Sequence, residues 1–122
     1  MKYAVLDTNF ILSCIRKKID FFEEIKFMGF KILMPMQVIE ELEKISKREN
    51  VKFSSEAKLA LSLLKKNVFT RVDLKMKNVD NGIIKLAEKN KEYIVATLDR
   101  EMKNKIKNRN IVIRGEKKLE IV

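Results

Sequence analysis

The fold class of this chain is decided by Lys2-Tyr3-Ala4-Val5-Leu6-Asp7-Thr8-Asn9-Phe10. The apolar residues end at Leu6, and a carboxylate, a hydroxyl and a carboxamide follow, which is typical of a buried strand ending in a polar turn. Residues 10–15 are then predicted to be helical. A strand, an acidic turn and a helix open an α/β unit, and such folds bind ligands at the carboxyl ends of their strands. We therefore expect Asp7 at that edge of a sheet, near its centre.

The rest of the chain alternates between helical and strand patterns. Helices are predicted over 19–27, 38–45 and 55–64, from Asp80 through Ala87, and around Met102 and Ile106. Further strands are predicted over 31–34, 68–72, 93–97 and 111–113, with a loop over 47–54 and a tail that either pairs or frays. Strands separated by helices imply a parallel sheet covered on both faces. The predicted fold is α/β, a three-layer α/β/α sandwich with a central, mainly parallel five-stranded sheet.

Length and composition indicate one globular domain over residues 1–122. The chain has only one proline and three glycines, which argues against a disordered protein. No apolar run reaches the roughly 20 residues of a membrane span, and the signal-peptide pattern is missing. The single cysteine, Cys14, suits a reducing compartment, so we expect a cytoplasmic protein without a membrane partner.

The charge balance limits the function further. A net charge of +10 is suited to a polyanion such as RNA, although a lysine- and glutamate-rich surface of thermophilic type is an alternative. The chain has no histidine, which excludes a histidine base or ligand. Any metal must have oxygen ligands, which favours Mg²⁺ or Mn²⁺ over zinc.

Four acids are expected to meet at the strand ends. Asp7 and Asp99 each follow a predicted strand, Asp80 begins a helix, and one glutamate lies on the helix after the second strand. At about 100° per residue, Glu41 lies about 60° from Val38, whereas Glu40 lies about 160° away and Glu43 about 140°. We therefore choose Glu41 and expect the other two to face solvent. Four clustered carboxylates repel one another, and a divalent cation that activates a water against a phosphate would compensate.

Each acid also has a simpler interpretation. Aspartate is a favoured helix N-cap, and all three aspartates precede or begin predicted helices. Glu41 alone is typical of an ordinary surface residue. The prediction of a site therefore depends on the pattern of four, not on any one member.

Four segments resemble, in order and spacing, the motifs of PIN-domain ribonucleases. These segments are Leu6-Asp7-Thr8-Asn9, Val38-Ile39-Glu40-Glu41-Leu42, Val79-Asp80-Asn81-Gly82-Ile83-Ile84 and Ala96-Thr97-Leu98-Asp99-Arg100-Glu101-Met102. In the second motif the acid before leucine is the functional one, which agrees with Glu41. The resemblance implies an Mg²⁺- or Mn²⁺-dependent endoribonuclease in which Asp7, Glu41, Asp80 and Asp99 hold the metal and catalyse hydrolysis.

The branch of the family is indicated by finer similarities. Asp7-Thr8-Asn9-Phe10-Ile11, Leu42-Glu43-Lys44-Ile45 and Asp99-Arg100-Glu101 resemble the branch that processes small-subunit ribosomal RNA, while toxin ribonucleases of toxin–antitoxin pairs share the four acids. The partners implied are RNA, together with a second copy of the chain, a ribosome-assembly factor or an antitoxin. Relatives often have two aspartates in the third motif, and this chain has Asp80-Asn81, which leaves the number of metal ions open.

Other polar residues near the acids have supporting roles or none. Thr8, Asn9, Asn81 and Thr97 are candidates for orienting the carboxylates or a water, with turn formation as the alternative for the threonines and Asn9. Arg100, Lys103 and Lys107 are candidates for phosphate contact on a basic helix, with a solvated face as the alternative. Two other classes of function compete with the nuclease. One is an RNA-binding assembly subunit that does not cut, and the other is a phosphoryl-accepting signalling domain, which the lack of a suitable lysine after the last strand disfavours.

Overall fold

A computed structural model describes residues 2–122, in which six strands and six helices follow one another. The strands are β1 (Tyr3–Leu6), β2 (Lys31–Pro35), β3 (Thr70–Val72), β4 (Ile94–Ala96), β5 (Asn110–Arg114) and β6 (Lys118–Ile121). The helices are α1 (Thr8–Arg16), α2 (Phe21–Phe27), α3 (Met36–Ser46), α4 (Val51–Lys66), α5 (Val79–Lys89) and α6 (Arg100–Lys105). None of the helices in residues 2–122 is both long and apolar enough to cross a membrane.

The strands form one sheet in the order β3-β2-β1-β4-β5-β6. All neighbouring strands are parallel except β5 and β6. β1 lies between β2 and β4, so that Ala4 is opposite Ile32 on one side and Ile94 on the other. This confirms the predicted α/β fold and the place of Asp7 at the centre of the sheet. The sheet has one strand more than predicted, because the tail pairs with β5 as β6.

The central strand is covered on both faces. Ala4, Val5 and Leu6 are all fully buried, and consecutive residues of a strand point to opposite faces. An apolar run without alternation is therefore the pattern expected for β1. α1 returns from the end of this strand and buries Phe10 and Ile11 in the same core.

Among the predicted boundaries, those of α4 and β3 differ from the structure for identifiable reasons. α4 begins at Val51, inside the predicted loop, because the Asn50 side chain accepts a hydrogen bond from the Phe53 N–H and caps the helix. The third strand begins at Thr70, two residues later than predicted. β3 is an edge strand with a single neighbour, β2, and Val68 before it is 97% exposed. Val68 therefore has no sheet partner to bury it, whereas Phe69 is half-buried against the core.

Candidate active site

Asp7 lies at the carboxyl end of β1 and is only 4% exposed. Its N–H donates to the Ala96 carbonyl, which ties the turn to β4 at 3.1 Å. Its Oδ1 accepts from the Thr8 N–H at 2.8 Å, and its Oδ2 accepts from the Thr97 hydroxyl at 3.1 Å. Both carboxylate oxygens are thus held, and the side chain has one defined orientation.

Glu41 is the member of the α3 acids that reaches the site. It is half-buried, and its Oε1 accepts from the Thr8 hydroxyl at 2.5 Å. Glu40 and Glu43 are exposed, as the angular argument predicts. Thr8 therefore bonds two acids at once, with its N–H to Asp7 and its hydroxyl to Glu41.

Asp99 is joined to the same network through Thr97. The Thr97 hydroxyl accepts from the Asp99 N–H at 3.1 Å while it donates to Asp7, and Thr97 is fully buried. The Oδ1 of Asp99 accepts from the Glu101 and Met102 N–H groups, so Asp99 is also the N-cap of α6. The capping interpretation is correct for Asp99, and it is compatible with a place in the site.

Asp80 differs from the other three acids because its side chain has no hydrogen bond within residues 2–122. It lies in the first turn of α5, but the N-cap of that helix is Asn78, whose side chain accepts from the Asn81 N–H at 2.9 Å. The capping alternative for Asp80 is therefore wrong, and the predicted start of this helix is one residue late. The Asp80 side chain is exposed.

The pKa shifts show that the acids act on one another. Burial and, after it, the charges of Asp80 and Glu41 raise the pKa of Asp7 to about 6, against the lowering effect of its hydrogen bonds to Thr97 and Thr8. Partial loss of hydration raises the pKa of Asp80, together with the charges of Asp99, Glu41 and Glu101. The four predicted acids therefore form one electrostatic group, which we call the acidic cluster (Asp7, Glu41, Asp80, Asp99).

The side chains of the remaining candidate residues have no hydrogen bond to the acids in the part of the chain that the structure describes. Asn9 and Asn81 are exposed, and within residues 2–122 neither side chain is hydrogen-bonded. Arg100 is exposed and Lys103 half-buried on α6. Lys107 was predicted on the same helix, but α6 ends at Lys105 because the chain becomes extended at Ile106, which turns inward and is buried.

Two charged residues near the cluster were missed by the sequence argument. The charge of Glu101 raises the pKa of Asp80, and that of Lys105 lowers it. Glu101 is two residues after Asp99 in the fourth motif, which was the available signal. An exposed glutamate in the first turn of a helix is so common that this signal does not single it out.

The donor set of the acidic cluster fits a hard divalent cation. All its candidate ligands are carboxylates. Burial and, after it, mutual repulsion raise the pKa of Asp7 and Asp80, and a cation would relieve the repulsion. Among residues 2–122, no three acidic, histidine or cysteine side chains are close enough to form a ready-made metal cage. Mg²⁺ commonly takes only one or two carboxylates and completes its shell with water and phosphate oxygens. The residues present therefore suit an ion held partly through water and substrate.

This fold and this group of acids define the class of protein. The chain belongs to the PIN-domain nuclease family, because the PIN like domain matches residues 4–116. The resemblance found in the four motifs is thereby confirmed.

Particular relatives come from two kinds of protein. Ribonuclease VapC4 of Methanocaldococcus jannaschii is 34% identical over 127 residues, which cover 99% of this chain and 97% of that protein. The rRNA-processing protein fcf1 of Schizosaccharomyces pombe is 31% identical over 110 residues. That alignment covers 86% of this chain and 53% of fcf1, so this chain spans about half of that relative.

Solved structures agree with the fold. The PIN domain endonuclease Utp24 has a TM-score of 0.78 at 26% identity, over 98% of this chain and 90% of that one. VapBC2 from Rickettsia felis, solved bound to a DNA fragment from its promoter, has a TM-score of 0.54 at 14% identity, over 90% and 98%. The second likeness is one of fold alone.

Proposed function

We propose that this chain, as a single nuclease domain over residues 1–122, is a divalent-metal-dependent endoribonuclease. The observation that carries the proposal is the burial of Asp7 beside other acids. This carboxylate is almost completely buried at the centre of the sheet edge, and two further acids raise its pKa. Burying an acid beside other acids destabilises a fold, and it is typical of a functional site. An RNA-binding subunit that does not cut has no need for such a cluster.

In this proposal Asp7, Glu41, Asp80 and Asp99 hold Mg²⁺ or Mn²⁺. Such an ion lowers the pKa of a water and stabilises the charge that develops on a phosphate. Thr8 and Thr97 keep Asp7, Glu41 and Asp99 in place through the hydrogen bonds described above. Asn9 and Asn81 are close in sequence to Asp7 and Asp80, and in this proposal their side chains hydrogen-bond a water at the site.

The substrate of the proposed reaction is RNA. One relative is named as a ribonuclease and the other as an rRNA-processing protein. The net charge of +10 also favours binding to a polyanion. Arg100, Lys103 and Lys107 remain candidates for phosphate contact. The single cysteine cannot form an internal disulfide, which suits a reducing, cytoplasmic setting.

A second candidate role follows from the kinds of relative that the chain has. It is 34% identical to Ribonuclease VapC4 and 31% identical to the rRNA-processing protein fcf1. A toxin-type ribonuclease with an antitoxin partner is therefore the alternative to ribosomal RNA processing with an assembly factor. In either role, a second copy of the chain is a further partner to test.

The test is cleavage of a labelled structured RNA with Mn²⁺, with Mg²⁺ and with chelator. The chain offers a matched pair of variants on one helix, Glu41→Gln in the cluster and Glu40→Gln beside it. Cutting that needs the metal, is lost in Asp7→Asn and Glu41→Gln, and persists in Glu40→Gln supports the proposal. Metal-independent cutting, or equal activity of the two glutamate variants, contradicts it. RNA binding without cutting by the wild type favours the assembly subunit.

A further inference from the structure

A groove opens beside the acidic cluster, between α3 and the loop of residues 73–78 that joins β3 to α5. We call it the basic groove because three lysines, Lys44, Lys75 and Lys77, line it. Gln37, Glu40 and Met76 complete its outer part. Its volume is about 520 Å³. Glu41 and Val79 line its inner end, so the groove leads directly to a member of the cluster and to the residue before Asp80.

The three lysines of the groove are not neutralised by salt bridges. Lys44, Lys75 and Lys77 are exposed, and the ion pairs among residues 2–122 are Arg16–Glu56 and Arg114–Glu120. Glu40 and Glu41 share the groove, but no carboxylate in that part of the chain is within salt-bridge distance of these lysines. The ammonium groups are therefore available to an external anion.

The loop that carries Lys75 and Lys77 is fixed by side-chain hydrogen bonds to α3. Gln37 donates from Nε2 to Asp73 Oδ1 at 2.8 Å and accepts from the Leu74 N–H at 3.1 Å. Asp73 Oδ1 also accepts from the Lys75 N–H at 2.8 Å, and Lys75 has a φ of 57°. A left-handed lysine is uncommon and indicates a loop whose shape is set by its surroundings.

We propose that the basic groove binds the phosphate backbone of single-stranded RNA next to the bond that is cut. The inference rests on the proposed function, because it extends the path of the substrate outward from the acidic cluster. A cluster of acids repels a polyanion, so a strand that reaches it needs cations close by. A cavity of this volume is in the range of drug-sized ligands, which leaves room for about one or two nucleotides. The fixed loop lowers the entropic cost of the contact.

The experiment measures binding of a fluorescein-labelled RNA of about 12 nucleotides, a length within the usual range for single-strand sites, by anisotropy in chelator. The groove variant is Lys75→Asn with Lys77→Gln, since asparagine tolerates a positive φ. The control is Lys2→Gln with Lys31→Gln. These lysines are also exposed, but they lie at the amino ends of β1 and β2, at the edge opposite the site.

We expect the groove variant to bind about tenfold more weakly in 100 mM KCl, and the slope of log affinity against log salt to become shallower by about 1.4, or about 0.7 for each lost contact. The control should stay within about twofold, with the same slope. If the groove variant unfolds, Lys44→Gln on the exposed face of α3 replaces it, with about half the change in slope. Equal effects of groove and control variants, or no RNA binding by the wild type, overturn the inference.

This result is separable from the proposed function. If no RNA is cut but the groove variant loses affinity selectively, the groove binds RNA and the nuclease proposal fails. If RNA is cut and the groove variant binds as tightly as the control, the inference about the groove fails alone. Selective binding of an acidic peptide in place of RNA also overturns it.

Discussion

Thr8 and Thr97 each connect two acids of the cluster. Thr8 bonds Asp7 and Glu41, and the Thr97 hydroxyl bonds Asp7 and Asp99. A threonine after a strand also fits a simple turn, which was the alternative from the sequence. Because each hydroxyl has an acid as its partner, these residues position carboxylates as well as closing turns.

The role of Thr8 leads to a prediction for Thr8→Val, which keeps the shape and removes the hydroxyl. Glu41 then loses its donor, and we expect about tenfold weaker Mn²⁺ binding with a change in the free energy of unfolding below about 1 kcal/mol. Calorimetric titration with Mn²⁺ measures the affinity. Thr8→Ser, which keeps the donor, is the control, and equal affinities of the serine and valine variants would contradict the prediction.

The raised pKa of Asp7 predicts how the metal-free protein responds to pH. The ordinary value is 3.8 and the folded value about 6, so the folded state holds the proton more tightly. The stability from this group is complete below about pH 4 and is lost as the pH rises through about 6. In chelator at pH 7.5, Asp7→Asn should therefore have a higher free energy of unfolding than the wild type, by on the order of 3 kcal/mol, and a higher melting temperature.

Thermal unfolding by circular dichroism at pH 4 and pH 7.5 tests this. The difference between Asp7→Asn and wild type should nearly vanish at pH 4, where the wild-type carboxyl is protonated. A variant less stable than the wild type at pH 7.5 would show that the hydrogen bonds of Asp7 outweigh the cost of its buried charge.

At the scale of elements, α5 is held against the loop before it by close packing. Gly82 faces Leu74, and a Cβ added to Gly82 would lie 2.9 Å from Leu74 Cβ and Cδ1. Leu74 is buried, and its N–H is bonded to Gln37 on α3. The glycine therefore allows the loop that lines the basic groove to lie directly on the helix that carries Asp80.

Gly82→Ala should destabilise the protein although alanine is the better helix former. Propensity favours alanine by about 1 kcal/mol, and the forced contact with Leu74 costs about 1–3 kcal/mol. We expect a net loss of about 1 kcal/mol in urea unfolding. Lys85→Ala, at an exposed position of the same helix, is the control and should be close to neutral. A gain in stability for Gly82→Ala would show that Leu74 moves aside freely.

For the protein as a whole, we expect a divalent ion and a proton to compete for the acidic cluster. A ligand at about 100 times its dissociation constant stabilises the folded state by about 2.7 kcal/mol. Because protons bind the same carboxylates, the increase in melting temperature on adding Mn²⁺ should grow from pH 5 to pH 8. Differential scanning fluorimetry at matched ionic strength measures it. An increase that is independent of pH, or equal in Asp7→Asn, would place the ion elsewhere.

Local patterns in the sequence are enough to predict the fold class and most of the acidic cluster. Strands buried on both faces are apolar throughout, so the sequence predicts that β1 is a central strand. The position of Asp7 at the end of this strand follows from that prediction. Helical geometry selected Glu41 over Glu40 and Glu43, because the side that faces the core depends only on local periodicity. The boundaries of α4 and β3 were missed, since a cap and an edge position depend on neighbours that the pattern does not contain.

The contacts between these residues depend on how the elements pack in three dimensions. Thr8 and Glu41 are 33 positions apart, Asp7 and Thr97 are 90 apart, and Gln37 and Asp73 are 36 apart. Such contacts arise from the order of strands in the sheet, which local periodicity does not specify. The same holds for the raised pKa of Asp7 and for the basic groove, because burial and electrostatic fields depend on every element that meets at the sheet edge.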